Sequence, residues 1–200
     1  MNLKFLGHSS FKITTNENRI IYIDPYAGED YEGANLILVS NSNYDHSSRD
    51  KIKKIRHDNT EVITTKENAG NINGIVMVPG QDLVVDENID IKCLRAESDN
   101  YHDAVGFLLK VDNIVIYFAG ATKKLENVKC DVALIPVGST HTLTPTEASQ
   151  DIRIIKPKIV IPMHFGDVEG TVENAEHFSE LLSDVEIKVL IMKEDEDIDF

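Results

Sequence analysis

The run Leu36-Ile37-Leu38-Val39 passes without a break into Ser40-Asn41-Ser42-Asn43-Tyr44-Asp45-His46. Four consecutive apolar residues bounded by turn formers read as a buried strand. The polar cluster at its end carries an Asp-His pair of the residue types that hold zinc. The pattern recurs twice. Ile159-Val160-Ile161-Pro162 runs into Met163-His164, and Val115-Ile116-Tyr117-Phe118 runs into Ala119-Gly120-Ala121-Thr122. An Asp-His pair in a loop is by itself more often a helix cap beside a solvated imidazole. Three strands ending in polar or glycine-bearing turns are what a site at one edge of a sandwich requires, because side chains distant in sequence then converge on rigid supports.

The rest of the chain supplies the strands of such a sandwich. Short strand patterns over 3–6, 10–14, 20–23 and 36–39 are separated by Asn16-Glu17-Asn18 and Ala27-Gly28-Glu29-Asp30, which predicts an antiparallel meander. Ser47 to Asp50 opens a helix that runs to about His57. A strand over 61–64 and a short helix over 66–69 follow. A second β-rich stretch covers 75–78, 83–85 and 89–94, and 105–111 pairs with 114–119 across Asp112-Asn113. The chain then alternates strand 132–136, helix 146–155, strand 159–162, helix 172–182 and strand 187–191. Two packed sheets with helices outside satisfy this order.

Composition narrows the function. The 200 residues suit one domain over 1–200, 42% hydrophobic and 27% charged, as in ordinary soluble proteins. The formal charge of −14 repels phosphate backbones and anionic membrane surfaces, so neither nucleic acid nor membrane is an expected partner. Part of the acidity sits in Lys193-Glu194-Asp195-Glu196-Asp197-Ile198-Asp199-Phe200, which reads as a solvated end. Cys93 and Cys130 are too few and too far apart for a disulfide framework or a CxxC site, and read as reduced core residues. The N-terminus shows no signal-peptide pattern and no window matches a membrane span, which makes a cytoplasmic protein the expectation.

Six segments taken together are more specific than any one. Leu6-Gly7-His8-Ser9-Ser10-Phe11, Ile23-Asp24-Pro25-Tyr26, Tyr44-Asp45-His46, Tyr117-Phe118-Ala119-Gly120, residues 130–138 and Ile161-Pro162-Met163-His164-Phe165-Gly166 stand in that order along nearly the whole chain. In this the chain resembles the small metal-dependent hydrolases of the metallo-β-lactamase superfamily, the branch that includes ascorbate-6-phosphate lactonase-like proteins. The resemblance implies an α/β (α+β) fold, a four-layer αββα sandwich with metals at one edge.

It also implies a selective loss. The family's H-x-H-x-D-H signature holds one zinc with its first two His and a second with its Asp-His. Here the first pair falls on Asn41 and Asn43, the third ligand of that metal near Ser98, and the bridging Asp on Ala121. Amide and hydroxyl oxygens bind zinc far less well than imidazole, and a methyl group not at all. The second metal's ligands fall on Asp45, His46 and His164, where Asp45 would also orient water. His8 falls at the pocket mouth, where it would orient a ligand, and Asp24 would brace the metal loop. His102 and His141 fall in pocket-facing loops as replacement ligands or substrate contacts, or as solvated residues. Two readings follow. One is a non-catalytic member of the fold with a polar pocket for a small ligand. The other is a mononuclear hydrolase of a small ester, lactone or phosphoester with one zinc, manganese or iron.

Overall fold

The computed structural model describes residues 1–29 and 31–200. Strands β1 (Asn2–Gly7), β2 (Ser10–Thr14) and β3 (Ile20–Ile23) pair antiparallel in succession. β4 (Leu36–Leu38) then lies parallel to β3. The first four strands are therefore not a pure meander: the connection from Asp24 to Asn35 crosses over before β4 begins, and strand pairing sense is not written in the alternation of a short apolar run. Helix α1 (Arg49–Ile55), strand β5 (Glu61–Thr64), helix α2 (Lys66–Ile72) and strand β6 (Ile75–Val76) complete this half in parallel register. The Ser48 side chain accepts from the backbone of Lys51 and so fixes the start of α1.

The second half begins with β7 (Asp82–Asp86), β8 (Ile89–Arg95), β9 (Val105–Val111) and β10 (Ile114–Phe118), all antiparallel. Asp112 and Asn113, both with positive φ, form the predicted two-residue turn between β9 and β10. Parallel strands β11 (Val132–Pro136), β12 (Ile159–Met163) and β13 (Lys188–Val189) alternate with α3 (Pro145–Ile155) and α4 (Val172–Glu180). A last strand, β14 (Asp197–Asp199), pairs with β1.

That last strand corrects the reading of the acidic terminus as a solvated end. The alternation Asp197-Ile198-Asp199-Phe200 puts Ile198 and Phe200 against the core and both carboxylates outward. High charge masked a strand of period two.

The two seven-stranded sheets enclose a core of Leu3, Phe11, Ile13, Ile91, Phe107, Leu109 and Phe118 with their neighbours. On the outer face of the second sheet α3 and α4 bury Ala148, Ile152, Ala175 and Phe178 against Ala133, Ile135 and Val160. On the first sheet α1 and α2 bury Ile52, Ile55 and Ile72 against Ile37, Val39 and Val62. The layers are thus helix, sheet, sheet, helix, as expected. Cys93 is buried in the central core and Cys130 half-buried beside the outer one; both are free, with thiols pushed up to about 12 by burial. No helix among the described residues is long and apolar enough to cross a membrane.

Candidate metal centre

Five side chains of ligand type come from loops that follow four different strands. His8 follows β1, Asp24 follows β3, Asp45 and His46 follow β4, and His164 follows β12. A shift of register between Phe5 and Gly7 bends the end of β1. Three of these residues, His8 (φ 51°), Asp24 (φ 46°) and His164 (φ 61°), hold left-handed backbone conformations that a side chain disfavours. Such strain persists only where surrounding contacts enforce it, and it gathers at functional sites. Here the enforcing contacts span the two sheets. The His164 N–H donates to the His8 carbonyl at 2.8 Å, and the Val105 N–H donates to the Ser40 carbonyl at 2.9 Å.

His8, Asp45, His46 and His164 are all buried, and one potential ligand atom from each lies within 4.8 Å of the others. His46 Nε2 stands 3.1 Å from His164 Nε2, and the Asp45 Oδ2 atom is 3.6 Å from the first and 3.9 Å from the second. Two donors bound tetrahedrally to one zinc at ~2.0–2.1 Å stand roughly 3.3 Å apart, so the three separations fit a shared ion. His8 Nε2 lies 3.2 Å from Asp45 Oδ2.

The two imidazoles facing each other are held from behind. His46 Nδ1 lies 2.6 Å from Asp24 Oδ2, while the same carboxylate accepts from Ser40 N–H at 2.7 Å and Ser40 Oγ at 2.6 Å. Asp24 is therefore the hub that ties the ends of β3 and β4 to His46. His164 Nδ1 lies 2.7 Å from Glu169 Oε1. Glu169 also accepts from the His141 N–H at 2.7 Å and the Thr142 hydroxyl at 2.7 Å. A proton on Nδ1 directed at a carboxylate leaves Nε2 bare toward the centre, which is how ligating histidines are fixed in the metal-binding tautomer. Neither His164 Nδ1 nor His8 Nδ1 has a hydrogen-bond partner of good geometry, but His164 Nδ1 has the Glu169 carboxylate 2.7 Å away, whereas the ion pair of His8 is made through Nε2 with Asp45.

The electrostatics match this arrangement. Burial raises Asp45, but the hydrogen bond from His8 and the surrounding imidazoles outweigh it and hold the carboxyl at about 2. Burial likewise raises Glu169, and the bonds from His164, His141 and Thr142 bring it to about 2. Burial pushes His164 down to about 4 in spite of Glu169, with His8 and His46 adding repulsion. For His46 burial is overcome by Asp24, whose charge and hydrogen bond move the imidazole above its usual value.

The remaining sequence-predicted residues lie around this centre rather than in it. Asn41 is buried, and its Oδ1 accepts from the Asn43 N–H at 3.0 Å, while the Asn43 carbonyl accepts from His46 and Ser47. The two asparagines build the loop that presents Asp45 and His46. Ser98 is half-buried and turns the loop into Tyr101. Ala121 is buried against Tyr101 and Ala104 and offers no donor. His102 is exposed, and His141 is turned toward the Asn100 side chain. Sequence reasoning passed over two participants. Glu169 stands in an unremarkable acidic loop, and nothing in its spacing from His164 marks it. Tyr101 is buried with its ring 5.8 Å from His46 and 6.5 Å from His164, walling the centre on one side.

Comparison with known proteins agrees with the geometry. The profile of the beta-lactamase superfamily domain matches residues 2–164. A UPF0173 metal-dependent hydrolase of Nanoarchaeum equitans is 31% identical with both chains fully covered. Another, from Thermococcus kodakarensis, is 27% identical over all of this chain and 99% of that one. Among solved structures, a candidate metal-dependent hydrolase from Parabacteroides distasonis superposes with a TM-score of 0.85 at 25% identity, covering 94% of this chain and 90% of that one. Igni18, a metallo hydrolase of Ignicoccus hospitalis, shares the fold with a TM-score of 0.79 at 22% identity, covering 100% and 98%.

Proposed function

Because the chain belongs to the beta-lactamase superfamily, among its UPF0173 metal-dependent hydrolases, we propose that it is a mononuclear hydrolase of a small ester, lactone or phosphoester. Asp45, His46 and His164 hold one metal in this reading. The observation that carries it is the pair of buried carboxylates, Asp24 and Glu169, standing behind exactly the two imidazoles whose Nε2 atoms face each other. Both carboxylates also tie loops, but each has one oxygen 2.6–2.7 Å from the Nδ1 of an imidazole whose Nε2 faces the centre, the placement that fixes a ligating histidine.

Two imidazoles and one carboxylate leave a coordination position open, the arrangement of catalytic rather than structural sites. They suit zinc, manganese or iron. A divalent ion there supplies Lewis-acid polarisation of a carbonyl or phosphoryl oxygen and makes water more acidic. His8 is not counted among the ligands. It lacks the carboxylate that backs His46 and His164, and of the four clustered residues it is the one that lines the adjoining cavity. Its Nε2 donates to Asp45 and its buried Nδ1 has no hydrogen-bond partner, which leaves a ring nitrogen free to take up a proton and return it to the leaving oxygen. Asp45 both ligates and, through His8, orients the proton path.

Ala121 and Asn41 favour the second reading, a non-catalytic binding protein, because neither supplies a charged donor to a second ion. Turnover separates the two. Metal-loaded protein assayed on a panel of activated esters, lactones and phosphoesters is expected to hydrolyse at least one class. His8→Ala is expected to keep its metal and lose about 10²–10⁴-fold in kcat. Full metal loading with no turnover on any class establishes the binding protein; loss of the metal in His8→Ala makes His8 a fourth ligand.

A further inference from the structure

A cavity of about 690 Å³ begins at His8 and lies between the end of β1, the loop after β12 and residues 191–194. Its walls are the buried or half-buried Phe5, Phe165, Ile191 and Met192, with Val172 at the start of α4. The charged groups lining it are exposed and form its rim: the carboxylates of Asp167, Glu176 and Glu194 against the single ammonium of Lys193. At the inner end is the fully buried His8 side chain with its unpartnered Nδ1.

We propose that this cavity takes the substrate of the adjoining centre, and that the substrate is a small apolar ester or lactone bearing a positively charged amine rather than a phosphoester. The inference rests on the catalytic reading given above for its reaction but not for its binding. Apolar walls gain from a hydrocarbon body withdrawn from water, and a few polar groups fix its orientation. An ammonium on that body meets three carboxylates at the rim, whereas a phosphate or carboxylate there would be repelled by the same groups and by the chain's net charge of −14. Hydrolysis breaks the acyl C–O bond and forms a new one to the water oxygen. One water proton passes to the leaving alkoxide and the other is released. Where ammonium and new carboxylate stay on one fragment, the product's net charge falls from +1 to zero, so the rim holds it less strongly than it holds the substrate.

Three probes of similar size isolate the charge: phenethylammonium, neutral 2-phenylethanol and anionic phenylacetate. Titrated calorimetrically into the full chain at low salt, phenethylammonium is expected to bind about tenfold more tightly than 2-phenylethanol, and phenylacetate more weakly than either. The double variant Glu176→Gln/Glu194→Gln is expected to reduce the preference for the cation about three- to tenfold with unchanged metal content. Equal or tighter binding of phenylacetate, no binding of any probe, or a preference unmoved by the double variant overturns the proposal. The titrations are repeated on His164→Ala. That variant is expected to lose the metal and keep the cation preference; failure of the unaltered chain to bind metal refutes the catalytic reading alone, and a preference lost in the folded metal-free variant refutes the cavity assignment alone.

Discussion

Each imidazole of the centre is only as good a ligand as the group that holds its far nitrogen. Asp24 does this for His46 and Glu169 for His164, and each carboxylate is itself saturated by donors from Ser40 or from His141 and Thr142. Asp24→Asn and Glu169→Gln preserve shape and remove charge, and each is expected to weaken metal affinity about 10–100-fold, measured by competition with a chromophoric chelator. An unchanged affinity in both would mean that the carboxylates serve the loops alone. These two residues also show what a sequence conveys at this scale. His164 is legible because it directly follows an apolar strand, and Asp45 and His46 because the loop after β4 carries the Asp-His pair of the resemblance. Glu169 lies in a loop whose path depends on Gly166 and Gly170, both with positive φ, so its approach to His164 follows from tertiary folding rather than from spacing. Asn41 and Asn43, which the resemblance sets at ligand positions, have a structural task that only the loop's hydrogen bonds reveal.

The elements place these residues by the way the strands end. β9 and β10 approach so closely that a Cβ at Gly120 (φ +70°) would stand 2.4 Å from the Val105 carbonyl oxygen. That carbonyl belongs to the residue whose N–H ties the second sheet to Ser40 beside the centre. Gly120→Ala is therefore expected to destabilise the fold by at least about 2 kcal/mol in denaturant titration, from backbone strain and the clash together. A change within about 0.5 kcal/mol, the range of ordinary surface substitutions, would show that the turn yields without cost. Strand and helix positions were largely readable from apolar periodicity, including α1 from its Ser cap and the β9–β10 turn from Asp112-Asn113. Pairing sense was not, since β3 and β4 look the same whether they run parallel or antiparallel. β14 was hidden because the net charge of its segment outweighed its alternation.

The whole molecule couples protonation of the centre to stability. Asp45 at about 2 against a usual 3.8, Glu169 at about 2 against 4.5 and His164 at about 4 against 6.5 are all lowered on folding. The unfolded chain binds more protons at each, so their contribution is present above the unfolded values and is lost as pH falls through the folded ones. His46 is raised and acts in the opposite sense: its contribution is present below about 6.5 and is lost as pH rises through its folded value. In calorimetry, metal-free protein is therefore expected to lose thermal stability from pH 6.5 toward pH 4, where His164 takes up a proton in the unfolded chain but not in the folded one. A melting temperature that rises over that window would contradict the assignment. The architecture of two sheets meeting at one charged edge exists in this account to hold a single ion, and counting that ion is the most direct test. Elemental analysis after loading with zinc, manganese or iron and exhaustive dialysis is expected to give one metal per chain, and none in His164→Ala. Two metals per chain, or none after loading, would contradict it.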